Sequence, residues 1–149
     1  MAMRKIVTEK DEILRKKSKA VTVFDRRLSL LLDDMRETMS TAGGLGLAAV
    51  QVGMLKRVVV VQDVDSIIEL VNPKIVYASG VQIGSEGCLS VPGIYGQVKR
   101  PKKVTVRAFD RFGNVFESTK EDMTARAFCH EIDHLDGILF RDHVIKYDD

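Results

Sequence analysis

Residues 121–140 read EDMTARAFCHEIDHLDGILF, and the spacing of their apolar and histidine side chains decides how the chain folds. Met123, Ala127, His130 and His134 form one stripe at helical spacing, and Phe128, Ile132 and Leu135 form another. A helix is therefore expected from about Glu121 to Asp136, with Gly137 as the residue after its end and Ile138-Leu139-Phe140 leaving as a short extended piece. His130 and His134 stand at i and i+4, one turn apart on the same face, so two imidazole nitrogens can meet one metal ion. Glu131 lies roughly 100° around the helix from His130. It is near enough to touch a water on such an ion but poorly placed to ligate, which suits a general base. The competing reading is a pair of buried, hydrogen-bonded core histidines. Two of the chain's three histidines flank that glutamate, and two stacked imidazoles buried without a ligand would be costly, which favours the metal.

Upstream of this segment the pattern is mostly extended. Val104–Phe109 and Val115–Ser118 flank Asp110-Arg111-Phe112-Gly113-Asn114 and read as a hairpin. Arg57–Asp63 is a β-branched run, Ile67–Val71 a second one stopped by Asn72-Pro73, and Lys74–Tyr77 a third. Still earlier, Asp25 stands at an N-cap before Leu28, Leu31, Leu32, Met35 and Met39, the stripe of an amphipathic helix that Gly43-Gly44 ends. Helix, strands, helix in that order predicts an α+β fold with the last helix packed on a largely antiparallel sheet. No repeat, low-complexity tract or linker divides the chain, so residues 1–149 are expected to form a single domain.

Composition narrows the function classes. Of 149 residues, 45% are hydrophobic and 30% charged, which is the balance of a folded domain rather than a disordered one. The net charge of +2 creates no strong field, so nucleic acid is disfavoured as the main ligand. The opening residues MAMRKIVTEKDE turn charged before a signal peptide could develop, and no apolar stretch approaches a membrane span. A cytoplasmic protein without a membrane partner is expected. Its two cysteines, Cys88 and Cys129, do not make a disulfide framework.

A catalytic metal needs a third protein ligand. The longer pattern HExxHxxGxxH is followed as far as Gly137 and fails at Phe140, which cannot ligate, and no glutamate follows Glu131. Asp136, Asp142, His143, Asp148 and Asp149 remain, with His143 read as a surface or hydrogen-bonding residue. The attractive candidate is Cys88, in EGCLS at 86–90, because a Cys, His, His set leaves a fourth position for water. A small buried hydrophobe is the alternative for Cys88. Cys129 points roughly 100° away from the histidine line and is read as a packing residue. The segment GLGLAAVQ at 44–51 has no Lys-Ser/Thr and follows a helix, so it is a poor phosphate loop. Either its small residues admit a ligand's backbone and Gln51 donates to a developing oxyanion, or it is a capped helix end followed by a packed strand.

Taken together, GLGLAAVQ at 44–51, EGCLS at 86–90 and HEIDHLDG at 130–137 resemble the three motifs of the peptide deformylase family, in the family's order. The resemblance extends from the Asp25 helix to Phe140. It implies antiparallel β-sheets packed around a central helix that carries the HExxH pattern. It also implies a hydrolase that removes the N-formyl group from the N-terminal formylmethionine of nascent polypeptides and releases formate. Carried over residue by residue, Cys88, His130 and His134 are the metal ligands, and Glu131 is the general base and later acid. Gln51 and the backbone N–H of Leu89 form the oxyanion hole. The ion is divalent, Fe2+ natively, with Zn2+, Ni2+ or Co2+ as substitutes in the purified protein. The substrate would lie extended beside Gly44, Leu45, Gly46 and Gly87, its methionine entering a pocket lined by Leu45, Leu89 and Ala127.

The implied partners are N-formylmethionyl peptides and, transiently, the ribosome or nascent chain, for a monomer in the bacterial cytoplasm. Many members continue into a long C-terminal helix implicated in ribosome docking, whereas 12 residues follow Gly137 here, so attachment by that route is not expected. Where some members carry an arginine at the substrate groove, this chain has Tyr95. No charged substrate anchor is assigned, and Arg100, near Lys99, Lys102 and Lys103, is read as structural or solvated. The alternatives are an HExxH metallopeptidase or a non-catalytic metal-binding or ribosome-associated module.

Overall fold

The structure is a computed structural model and describes residues 2–149. Its first helix, α1 (Arg26–Ala42), begins at Asp25, whose side chain accepts the N–H of Leu28, and ends at Gly43, which takes the left-handed conformation (φ 72°). Leu28, Leu31, Leu32, Met35 and Met39 are buried, as their spacing predicts. Each such side chain contributes roughly 1.5–3 kcal/mol relative to exposure.

The strands are β1 (Gly46–Ala48), β2 (Val58–Gln62), β3 (Ile67–Ser79), β4 (Gln82–Cys88), β5 (Val91–Arg100), β6 (Lys103–Phe109), β7 (Val115–Glu121) and β8 (Val144–Tyr147). They form two sheets, one in the order β1-β2-β3-β6-β7 and one in the order β4-β5-β8, with antiparallel neighbours throughout. The second helix, α2 (Asp122–Leu135), follows β7 directly.

The unbroken run Val58-Val59-Val60-Val61 shows how the layers stack. Val58 and Val60 pack with α1, while Val59 and Val61 pack in the cluster that holds α2, so β2 is apolar on both faces because both faces are covered. The α2 cluster also takes in Val91 and Val98 of β5. The HExxH helix is thus enclosed between the five-stranded sheet on one side and the smaller sheet on the other, the α+β arrangement that the motifs implied. Among the described residues, no helix is long and apolar enough to cross a membrane.

Several sequence expectations are corrected. Asn72-Pro73 does not end a strand: β3 runs through it with a register shift between Val71 and Lys74, and Asn72 takes φ 51°. The Asn72 side chain stabilises the bulge by accepting the N–H of Val21 at 2.8 Å and donating to its carbonyl at 2.9 Å. Ile138-Leu139-Phe140 leaves α2 with Leu139 extended, but the piece pairs into no strand. Phe140 opens a 3-10 turn (Phe140–His143) and is buried, its ring stacked on His130 at 5.9 Å, and the strand comes only afterwards as β8. Met123 is not in the core but 60% exposed, because it sits in the first turn of α2 where the helix faces the cleft. For Arg100, read as structural or solvated, the structural alternative holds, since its side chain is buried.

Candidate active site

Each functional side chain is held by a different local device. His130 and His134 project from α2, and their rings meet edge to face at 5.1 Å. Cys88 ends β4 just beyond a register shift between Glu86 and Cys88, on the side of the strand that meets α2. One ligand atom from each of Cys88, His130 and His134 lies within 4.8 Å of the others, and Cys88 Sγ is 3.3 Å from His134 Nε2. Gly87, at the bulge, has no room for a side chain, since a Cβ there would lie 2.5 Å from the ring of Tyr95.

Behind the cluster, Glu86 fixes the orientation of His130. The imidazole Nδ1 donates to Glu86 Oε1 at 2.9 Å, which leaves Nε2 turned to the cluster as an acceptor. Glu86 is buried, which by itself would raise its pKa. Hydrogen bonds from Arg100 (2.9 Å to each oxygen) and His130 reverse that and hold it well below the usual carboxylate range. Arg126 is the third donating residue, with Nη1 at 2.7 Å, and Arg100 reaches on to Asp133 at 2.7 Å.

Glu131 faces the cavity side of the same cluster. Burial pushes its carboxyl up to about 7, against the opposing pull of His130. Its Oε2 lies 3.9 Å from His130 Nε2, and its buried Oε1 has no hydrogen-bond partner among the described residues. Gln51 is oriented by the N–H of Ala48, which donates to Oε1 at 2.9 Å. Its Nε2 therefore points to Ser90 Oγ (3.1 Å) and Cys88 Sγ (3.6 Å). These residues open into a cavity of about 400 Å³ lined also by Gly44, Leu45, Gly46, Gly87, Leu89, Met123, Arg126 and Ala127.

The donor set fits a divalent transition metal. One sulfur and two imidazole nitrogens converge, and an unpartnered carboxylate oxygen stands beside them where a water would need an acceptor. Cys129 is outside the cluster. It is buried, and burial pushes its thiol up to about 11, so it packs as a neutral hydrophobe. His143 sits at the surface 3.4 Å from Asp133, and Asp136 is taken by Arg57 at 3.0 Å. Sequence reasoning missed the roles of Glu86, Arg100 and Arg126. The available signal was strand alternation, which puts Glu86 on the same face as Cys88.

A cysteine-histidine-histidine cluster with buried imidazoles, a half-buried thiol and a carboxylate at the floor of a cleft defines the class of metal-dependent hydrolase sites. The polypeptide deformylase family model matches residues 3–149. A peptide deformylase of Caldicellulosiruptor bescii is 60% identical over 147 residues, 99% of this chain and 89% of that protein. Peptide deformylase 1 of Bacillus subtilis is 50% identical over 149 residues, 99% of this chain and 93% of its own. The crystal structure of a peptide deformylase from Legionella pneumophila aligns with a TM-score of 0.93 at 49% identity, covering 96% of this chain and 86% of that one. The chain belongs to the polypeptide deformylase family, metal-dependent enzymes that remove the formyl group from nascent peptides.

Proposed function

We propose that this chain hydrolyses the N-formyl group of N-terminal formylmethionine on nascent polypeptides, with Cys88, His130 and His134 holding one divalent ion and Glu131 moving the proton. The observation that carries the reading is the convergence of the three ligand atoms within 4.8 Å beside the unpartnered oxygen of Glu131. When bound, the ion supplies Lewis acidity that acidifies water and polarises a carbonyl. A thiolate with two imidazoles accepts zinc, iron, nickel or cobalt, and it is the resemblance to the family that makes iron(II) the native ion, with zinc, nickel or cobalt as substitutes.

Glu131 accepts a proton from the attacking water and later delivers it to the departing amine, a task for which a carboxyl titrating near neutrality is suited. Gln51 Nε2 and the backbone N–H of Leu89 donate to the oxyanion as it forms on the formyl carbon. Ala48 keeps the Gln51 amide from rotating, so this donor is oriented before substrate arrives. Formate and an amine-terminated methionine peptide leave.

The substrate backbone has a place to pair. β1 and β4 are each an outer strand of their sheet and bring Gly46 and Gly87 to the cleft, so an extended peptide can pair with their free backbone edges. Leu45, Leu89 and Ala127 supply apolar surface for the methionine side chain. The natural substrates are N-formylmethionyl chains emerging from the ribosome in the bacterial cytoplasm, met transiently by a monomeric enzyme.

The test is an anaerobic preparation of measured metal content, assayed for formate release from a formyl-Met peptide beside its acetyl-Met analogue. Formate from the formyl peptide alone is expected. A fully metallated sample that releases none overturns the proposal, and hydrolysis of the acetyl peptide redirects it to a different amidase.

A further inference from the structure

Met123, Arg126, Ala127 and His130 rise from one face of α2 at i, i+3, i+4 and i+7 and form one wall of the cleft. Arg126 is the anomaly among them, a charged side chain in a wall that receives an apolar group. Its side chain is only 7% exposed, because the head is turned under the wall rather than out of it. Nη1 donates to Glu86 Oε2 (2.7 Å), Val98 O (3.0 Å) and Gly84 O (3.3 Å), and Nη2 to Gln82 Oε1 (3.3 Å). The space exists because residue 84 is glycine: a Cβ there would stand 3.0 Å from Nη2. A head fixed on four acceptors leaves the methylene stem little freedom, so the stem is a rigid apolar piece of the wall.

The head also completes a charge set. Glu86 receives Arg100 and His130 on Oε1, and Arg100 and Arg126 on Oε2, while Arg100 is shared with Asp133. Two carboxylates and two guanidiniums close without net charge. Without Arg126, one buried negative charge behind His130 is left uncompensated, the situation that a buried ion network tolerates worst.

We propose that Arg126 is both a positioning and a specificity-determining residue: its stem sets the depth of the pocket for the substrate's first side chain, and its guanidinium fixes Glu86 and, through Glu86, the ring of His130. The substrate half rests on the deformylase reading above. The two roles separate by substitution, since Arg126→Met keeps the stem and loses the head, whereas Arg126→Leu and Arg126→Ala shorten the wall as well.

The full chain is loaded anaerobically with cobalt and compared with its Arg126→Met, Arg126→Lys, Arg126→Leu and Arg126→Ala variants. The readouts are kcat and KM on formyl-Met and formyl-Phe peptides, and the visible absorption bands of the bound cobalt. Arg126→Ala and Arg126→Leu are expected to lose the preference for Met over Phe by roughly tenfold, through KM. Arg126→Met is expected to keep that preference, lose kcat severalfold and shift the cobalt bands, with Arg126→Lys restoring part of both. Should Arg126→Ala not fold, Arg126→Leu carries the wall measurement. An unchanged Met-to-Phe ratio in the shortened variants overturns the specificity role, and unchanged kcat and cobalt bands in Arg126→Met overturn the positioning role. A wild-type enzyme that releases no formate sinks the deformylase reading instead, and the cobalt bands then still decide whether Arg126 positions His130.

Discussion

Gly46 and Glu131 touch so closely that a Cβ on residue 46 would lie 2.6 Å from Glu131 Oε2. The three nearest atoms to such a Cβ all belong to the Glu131 side chain, so an added methyl acts first on the carboxylate and displaces it. Gly46→Ala is therefore expected to fold normally and to lose kcat by at least about tenfold, part of the roughly 10²–10⁴ that a positioned general base contributes. Glu131→Gln should lose the full amount. Steady-state kinetics beside a thermal melt check this, and a Gly46→Ala enzyme with wild-type kcat would show that the carboxylate need not stand where it does.

The two cysteines should respond oppositely. Cys88→Ala removes one of three converging donors and is expected to lower bound metal well below one equivalent and abolish turnover. Cys129→Ala removes a neutral buried thiol outside the cluster and should keep metal and activity, at a stability cost of about 1 kcal/mol. Metal analysis and activity of both variants under reducing, anaerobic conditions separate the roles. Equal metal content in the two would mean that the third ligand is not Cys88.

The parts of the fold that could be read from sequence are those whose cause is local. The Leu28-to-Met39 stripe, the caps Asp25 and Gly43, and the Asp110–Asn114 hairpin turn each act over a few residues, and each element ends close to where those residues say. The i, i+4 histidines likewise needed only a helix. What could not be read depends on partners distant in sequence. Between the structural and solvated readings of Arg100 the local basic run could not decide, because the choice is made by Glu86, 14 positions away, and Asp133, 33 away. Glu86 stood inside a quoted motif, but its purpose is an imidazole 44 residues downstream. Phe140 left the helix as expected, yet it turns back over His130 because the ring has an apolar site to fill there.

Stability toward acid should depend on Glu69. Burial raises the pKa of this carboxyl, but hydrogen bonds from Arg111 and Arg36 outweigh burial and hold it below its ordinary 4.5. A depressed native pKa means that the unfolded chain takes up the proton first. The contribution is therefore complete above the unfolded value and disappears as pH falls below it through the native value. Glu69→Gln is expected to cost about 1–3 kcal/mol at pH 7, since it leaves two guanidiniums short of a partner. The gap to wild type should narrow below about pH 4.5. Denaturant melts of both proteins from pH 7 to pH 3 test this, and a gap that stays constant across the range would contradict it.

Asn72 is the place where local and distant causes disagree, and its substitution shows which one dominates. Asn-Pro is a strand breaker by composition, and a left-handed asparagine (φ 51°) is what a turn would use. The strand is held through the bulge by the Asn72 backbone N–H, which donates to Arg57 O at 2.7 Å, and by the side-chain amide, which bonds both the N–H and the carbonyl of Val21, 51 residues away. Asn72→Gly keeps the backbone angle and loses only those two bonds, so about 1–3 kcal/mol is expected. Asn72→Ala loses the bonds and adds left-handed strain of roughly 1 kcal/mol or more. Both variants should keep wild-type kcat on a formyl-Met peptide, because Asn72 lies outside the residues that line the cleft. Equal melting temperatures for the two variants would mean that the bulge does not depend on the asparagine's backbone conformation, and a wild-type melting temperature for Asn72→Gly would mean that the Val21 bonds do not hold β3 together.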